Sequence, residues 1–176
     1  VLDAAEPGFG ASTRNGGMVS GGVNVGKRML NKALTPEQAK PFLNDAVDAF
    51  TYVESLIADN NIECGWHKRG YFLGAWCQSH FDAMAKKVEA LNAEAQSGAA
   101  MVSRDEQRGD IGSDYYHGGM VVERAAHLHP ALYYQGLLAL VQKAGVSIAS
   151  RTPVMGLVQN ADNSWAVKTP RGTVRA

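Results

Sequence analysis

Seven glycines fall between Gly8 and Gly26, directly after a short apolar stretch that ends in an acid, Val1-Leu2-Asp3-Ala4. A buried strand that closes on a carboxylate and runs into a glycine-rich loop narrows what the chain can be. The carboxylate accepts hydrogen bonds from both hydroxyls of a ribose, and glycines let backbone N–H groups approach a phosphate closely. Ser12, Thr13, Arg14 and Asn15 add hydroxyl, guanidinium and amide donors to the same loop. The planar guanidinium fork suits phosphate because it makes paired, charge-assisted hydrogen bonds. The residues alone leave a second reading open, a flexible loop that carries a surface arginine. The spacing is not G-x-G-x-x-G, and Gly10-Ala11-Ser12-Thr13-Arg14 lacks the last glycine of a nucleophile elbow, which argues against a serine hydrolase.

Composition removes several classes. The chain has 176 residues, 45% hydrophobic and 19% charged, the balance of a globular protein rather than a disordered one. Lys and Arg number 17 against 17 Asp and Glu, and zero net charge argues against nucleic-acid binding. No apolar run approaches the roughly 18 residues of a membrane span, so no membrane partner is expected. The two cysteines, Cys64 and Cys77, are too few for a disulfide scaffold and fit a reducing compartment. With no visible signal peptide, this points to the cytoplasm.

Along the chain, Pro7-Gly8 reads as a turn after the first strand. Thr35-Pro36-Glu37-Gln38 reads as a helix start, with Thr35 as N-cap, Pro36 at the first helical position and Gln38 completing a capping box. Phe42, Leu43, Ala46, Val47, Phe50, Val53, Leu56 and Ile57 recur at three and four and place that helix's apolar face, up to about Asn60-Asn61. Residues 66–76 are aromatic and strand-like, read as a hairpin turning at Lys68 to Gly70. A second helix is expected from about Ser79 to Gln96, with Phe81, Met84, Ala85, Val88 and Leu91 inward, and a strand from Tyr116 to Glu123. A third helix begins at Pro130 and closes at Gly145. Strands are expected at Val146 to Ala149 and Val154 to Val158, then at Trp165 to Val167 and Thr173 to Arg175, after turns at Asp162-Asn163 and Arg171-Gly172. The pattern is mixed α/β.

At this point the motifs carry a resemblance. Val1-Leu2-Asp3-Ala4 followed by Gly8-Phe9-Gly10-Ala11-Ser12-Thr13-Arg14-Asn15-Gly16-Gly17 resembles the FAD-dependent amino-acid and amine oxidoreductases of the D-amino acid oxidase superfamily. The Arg-Asn-Gly-Gly form is similar to the branch that includes gamma-glutamylputrescine oxidoreductases. The resemblance continues through Gly112 to Gly119, His129-Pro130-Ala131, Gly145 to Ile148 and Thr152-Pro153-Val154. It implies an α/β (α+β) fold, in which a partial FAD-binding Rossmann-like domain carries an inserted mixed-sheet substrate domain. The implied division is residues 1–34 and 126–176 in the FAD-binding domain, with 35–125 in the substrate domain.

The resemblance also implies roles. Asp3 would hold the adenosine ribose, where the family more often has Glu. Ser12, Arg14 and the backbone through Asn15, Gly16, Gly17 and Met18 would lie along the pyrophosphate, ribityl chain and flavin. Val154, in a buried strand, would touch adenine through its backbone. Tyr116 and His117 sit on a strand that leads toward the substrate pocket, although packing is the better explanation of aromatic residues there. The implied substrate is a small amine or amino acid that loses hydride to flavin from the carbon bearing nitrogen; water hydrolyses the imine, and oxygen or another acceptor reoxidises the flavin. No catalytic dyad is visible. A hydroxy-acid dehydrogenase of the same fold, or a non-catalytic module that has lost the cofactor, stays open. The family's G-x-G-x-x-G turn lies before the strand that ends at Asp3, so the chain is expected to be an interior piece of a longer oxidoreductase.

Two further groupings are weighed against metal binding. His127-Leu128-His129 puts two imidazoles close together, but no third ligand is spaced to join them and Pro130 points to a loop entering a helix. Cys77 and His80 read as residues of a helix start. No metal site is expected.

Overall fold

The computed structural model describes residues 1–20 and 35–176. The second half of the glycine-rich stretch, residues 21–34, lies outside the described residues. The chain divides into two units. Val1–Gly16, Ile62–Cys64 and His129–Ala176 form the first; Gly17–Asn61 and Gly65–Leu128 form the second.

In the second unit, strand β1 (Met18–Ser20) precedes helix α1 (Pro36–Asp59). The helix starts where Thr35 and Pro36 place it. Thr35 bonds the Glu37 carboxylate, which the Glu37 backbone N–H and then Thr35 hold below the usual carboxylate range. The side chain of Gln38 lies outside the described residues. Val47, Phe50 and Ile57 are buried along the expected face. Strand β2 (Tyr71–Gly74), helix α2 (Gln78–Ala95), strand β3 (Ala99–Val102), a single 3-10 turn at Gln107–Gly109, strand β4 (Gly119–Val122) and strand β5 (Ala125–His127) complete the unit.

The sheet order is β2-β4-β3, antiparallel throughout, with Leu73 opposite Met120 and Met101 opposite Met120. One face, carrying Ala75, Ala99, Met120 and Val122, packs with Met84 and Leu91 of α2 into the core, and Tyr71, Phe81, Val88 and Met101 close over it. Burying each large apolar side chain of this kind contributes about 1.5–3 kcal/mol. Ala85 faces solvent, contrary to the expected inward set. The helical face is narrower than the small residue's apolar character implied.

The hairpin expected at Lys68 to Gly70 does not form. His67 bridges His127 instead, and Gly70 donates its N–H to the Ala125 carbonyl at 3.0 Å. Gly70 has φ +69, and a β-carbon there would stand 2.6 Å from the Val122 carbonyl oxygen. The glycine serves a close backbone approach, not a reversal of the chain.

In the first unit, Leu2 makes a parallel bridge with Ala149, and Asp3 N–H donates to the Ala149 carbonyl at 3.0 Å. Among the described residues this is the parallel pairing; the strand expected over Val146 to Ala149 reduces to it. Helix α3 (Pro130–Lys143) is capped by His129, whose Nδ1 accepts from the Leu132 N–H at 3.4 Å. Strands β6 (Gly156–Gln159), β7 (Trp165–Thr169) and β8 (Gly172–Arg175) form an antiparallel meander. The sixth strand starts at Gly156, so Val154 lies ahead of it and is 47% exposed. The expectation of a buried strand at Val154 is corrected: pairing begins only where Met155 N–H reaches the Lys168 carbonyl.

Candidate functional site

The loop after Asp3 is a series of nested turns. Phe9 N–H donates to Glu6 O at 2.9 Å, and Arg14 N–H to Ala11 O at 3.1 Å. The Thr13 hydroxyl closes on the Gly8 carbonyl at 2.5 Å, and Asn15 Nδ2 on the Ala11 carbonyl at 2.9 Å. Gly8 has φ +85, and a β-carbon there would stand 2.8 Å from Cε1 of Tyr134, so the helix α3 ring packs directly on the turn's backbone. Thr13 and Asn15 thus spend their polar groups on shaping the loop, which is a structural role.

Ser12 and Arg14 differ from them. Both are exposed, and among the described residues neither the Ser12 hydroxyl nor the Arg14 guanidinium makes a hydrogen bond or ion pair. The guanidinium sits 4.5 Å above the Phe9 ring, which orients it while leaving its N–H donors open. A β-carbon at Gly10 or Gly16 would meet nothing within 4 Å, so the backbone between them stands open on that side. A hydroxyl, a stacked guanidinium and open backbone on one short turn suit an anion such as a diphosphate.

Asp3 is half-buried, and its Oδ1 accepts from the Ala5 N–H at 2.8 Å. The buried strand expected over Val1 to Ala4 reduces to the Leu2 bridge; the Ala5 bond fixes the carboxylate just after it and leaves acceptor capacity on its other oxygen. The Arg151–Glu6 ion pair at 2.5 Å and the Thr152 N–H to Asp3 O bond at 2.7 Å tie the same segment to residues 149–152. The Val154 backbone N–H and carbonyl have no backbone partner among the described residues.

In the second unit, buried Gly17 accepts at its carbonyl from the Leu128 N–H at 2.9 Å, and Met18, 77% exposed, stands opposite His127. Tyr116 is half-buried in an aromatic group, 5.6 Å from the Trp76 ring and 6.1 Å from the Phe72 ring. His117 donates its backbone N–H to Ala75 O at 2.9 Å. Tyr115, 70% exposed, meets Trp76 edge-on at 5.8 Å.

A cavity of about 260 Å³ in the same unit includes Phe50, Glu54, Lys68, Ser97, Glu123 and Arg124 in its lining, none of them a residue singled out for a site by sequence. Most of its polar groups are engaged locally. Lys68 pairs with Glu54 at 3.1 Å, and Arg124 donates to Val47 O and Thr51 Oγ1 at 2.7 Å each. The structure also brings His67 beside His127, ring centroids 5.2 Å apart. Sequence reasoning missed that pair because 60 positions of chain separate two strands whose pairing has no local signal.

The family model described as "FAD dependent oxidoreductase", DAO, matches residues 1–176. The chain belongs to the FAD dependent oxidoreductase family. A probable oxidoreductase, OrdL, of Haemophilus influenzae is 28% identical over 175 residues, covering 99% of this chain and 40% of the relative. Gamma-glutamylputrescine oxidoreductase of Escherichia coli is 22% identical over 130 residues, 74% of this chain and 30% of that protein. The crystal structure of glycine oxidase from Geobacillus kaustophilus superposes with a TM-score of 0.78 at 15% identity, over 99% of this chain and 45% of that one. The chain thus spans less than half the length of these relatives. Among the described residues, no helix is long and apolar enough to cross a membrane.

Proposed function

We propose that the whole protein oxidises a small amine or amino acid with FAD, and that residues 1–34 and 126–176 carry part of the FAD-binding domain while residues 35–125 carry part of the substrate domain. The observation that supports this best is the open Ser12–Arg14 turn on the loop that follows Asp3, in a chain matched by the family from end to end. Asp3 would accept from the adenosine ribose with the oxygen its own turn leaves available. Ser12, Arg14 and the backbone of Asn15 and Gly16 would hold the pyrophosphate and ribityl chain, the backbone of Gly17 and Met18 would meet the flavin, and the Val154 backbone would meet adenine. Tyr116 and His117 are assigned to the substrate pocket.

A bound flavin supplies the acceptor for hydride from the carbon bearing nitrogen. The protein's part is to bind, orient and desolvate. The Arg14 guanidinium, already stacked on Phe9, loses little freedom when it pairs with phosphate. An aromatic wall orients an amine without offering a competing base.

The test uses the intact protein. It should be yellow, and the flavin bands should bleach anaerobically when an amine or amino acid is added, with a carbonyl product and ammonia or an amine released. Bleaching by hydroxy acids alone would replace this reading with oxidation at CH–OH. A protein that stays colourless in excess FAD would overturn the flavin assignment.

A further inference from the structure

The chain has five histidines, and the fold treats them differently. His129 spends its Nδ1 on the α3 cap, and His80 accepts from the Trp76 N–H at 3.4 Å. His67 and His127 make no side-chain hydrogen bond among the described residues, and both are exposed. They are bound to one another through the backbone: His67 N–H donates to His127 O at 2.9 Å, and His127 N–H to His67 O at 3.0 Å. Residues exchanging both bonds in an antiparallel pair project to the same side. Trp66 packs against Phe50, ring centroids 5.8 Å apart, and Lys68 bonds Glu54, so α1 covers the opposite side and His67 faces away from it.

The ring centroids lie 5.2 Å apart with the planes tilted by 43°. Two imidazole nitrogens at about 2.0–2.1 Å from one ion leave the ring centroids about 5 Å apart in tetrahedral positions and about 4.5 Å apart in the cis positions of a tetragonal ion, so a small side-chain rotation brings the pair to either geometry. We propose that His67 and His127 form a cross-strand, two-imidazole site for a late first-row transition-metal ion, copper(II) ahead of nickel(II) and zinc(II). Among the described residues no three His, Cys, Asp or Glu side chains converge, so water fills the remaining positions and the ion exchanges with solvent. Imidazole suits these ions, and copper(II) binds a given nitrogen site most tightly of the series. The two backbone bonds fix the spacing and the common side of the two residues before the ion arrives, which lowers the ordering cost of binding. The site uses neither the Arg14 turn nor any cofactor, but His127 stands opposite Met18, whose backbone is proposed to meet the flavin, so the flavin content of each variant is read beside its metal binding.

The experiment uses the intact, untagged protein freed of metal and titrated with copper(II), then nickel(II) and zinc(II), each alone. One equivalent of copper should bind, and saturating ion should raise Tm because it bridges two chain segments of the folded state only. His67→Gln and His127→Gln should each weaken binding at least tenfold and remove the Tm shift, while His129→Gln leaves both unchanged. Circular dichroism of each variant verifies its fold. Binding that survives both substitutions, equal loss in His129→Gln, zinc bound more tightly than copper, or no stoichiometric binding would each overturn the proposal.

Discussion

Tyr116 lies across Gly74. A β-carbon at Gly74 would overlap the tyrosine ring, 2.6 Å from its Cγ. Gly74 pairs with Gly119, and a β-carbon at Gly119 would stand 2.6 Å from Cζ of Phe72. Two opposed glycines thus leave room for two aromatic rings on the sheet face away from α2. Gly74→Ala should destabilise the second unit by about 1–3 kcal/mol, the usual cost of overpacking. Gly112→Ala, where a β-carbon meets nothing within 4 Å, should stay within about 0.5 kcal/mol of the parent. Urea unfolding of the two variants tests this, and equal midpoints would remove the packing argument.

Asn92 holds the turn that leads from α2 into β3. Its Oδ1 accepts from the Ser97 hydroxyl at 2.9 Å and from the Ala99 N–H at 2.7 Å, and its Nδ2 donates to the Ala99 carbonyl at 2.9 Å. Ser97 is fully buried, so deleting its partner leaves an unpaired hydroxyl. Asn92→Ala should cost about 2–3 kcal/mol. Asn92→Asp keeps the acceptor, loses the donor and should cost less. Denaturant midpoints of the pair decide it.

The two cysteines should react differently. Cys64 is 1% exposed. Cys77 is exposed at the N-terminus of α2, and the Ser79 hydroxyl, 3.2 Å from its sulfur, holds the thiol below its ordinary range, helped by the His80 and Ser79 backbone N–H groups. Iodoacetamide at neutral pH should label Cys77 first. Ser79→Ala raises that thiol's pKa and should slow labelling at pH 7, and the difference should close above about pH 9, where both thiols are ionised. Mass spectrometry of the labelled peptides gives the order.

Asp162 links pH to the meander. The Ser164 hydroxyl at 2.6 Å, then the Ser164 N–H, hold its carboxyl below the usual range, and Arg175 pairs with its other oxygen. Because the folded value is depressed, the unfolded chain takes up the proton first. The contribution is therefore complete above about pH 4 and is lost as pH falls through the folded value. Hydrogen exchange at the Ser164 amide should accelerate in acid beyond its intrinsic pH dependence. Asp162→Asn should abolish that extra acceleration; an identical profile in the variant would refute the linkage.

Arg14 carries the functional reading. In the intact protein, Arg14→Ala should weaken FAD retention about tenfold or more, the scale of one charged hydrogen bond. Thr13→Ala, by contrast, should lower stability through the lost bond to Gly8 O. Flavin content after dialysis separates the two. Unchanged retention in Arg14→Ala would take the guanidinium out of the site.

Helices were legible in the sequence because their signals are local. Thr35-Pro36, His129-Pro130 and the spacing of Val47, Phe50 and Ile57 each act within one or two turns. Strand pairing was less so. The sheet order joins Tyr71–Gly74 to Gly119–Val122 across an intervening helix and strand, and nothing near Gly70 says whether that glycine turns the chain or admits a neighbouring carbonyl. At the candidate site, the residue types of the Asp3–Gly17 segment were informative because backbone and donors come from one stretch. The division of labour was not: Thr13 and Asn15 build the loop while Ser12 and Arg14 remain open, a distinction set by hydrogen-bond geometry.

The parallel contact between Leu2 and Ala149 also sets a timetable. The nearby Val1 nitrogen reaches the carbonyl of Ser147, a residue 146 positions later in the chain. At about 5–20 residues per second, a ribosome needs roughly 7–30 seconds to make that stretch. The second unit, all of it encoded between, can collapse while the first still lacks His129–Ala176. The Asp3 end must stay in an open, pairable state for that whole interval. Nascent chains of this protein should therefore depend most on chaperones before Ala149 emerges, and a stalled message truncated within α3 should leave a folded second unit beside an unfolded first.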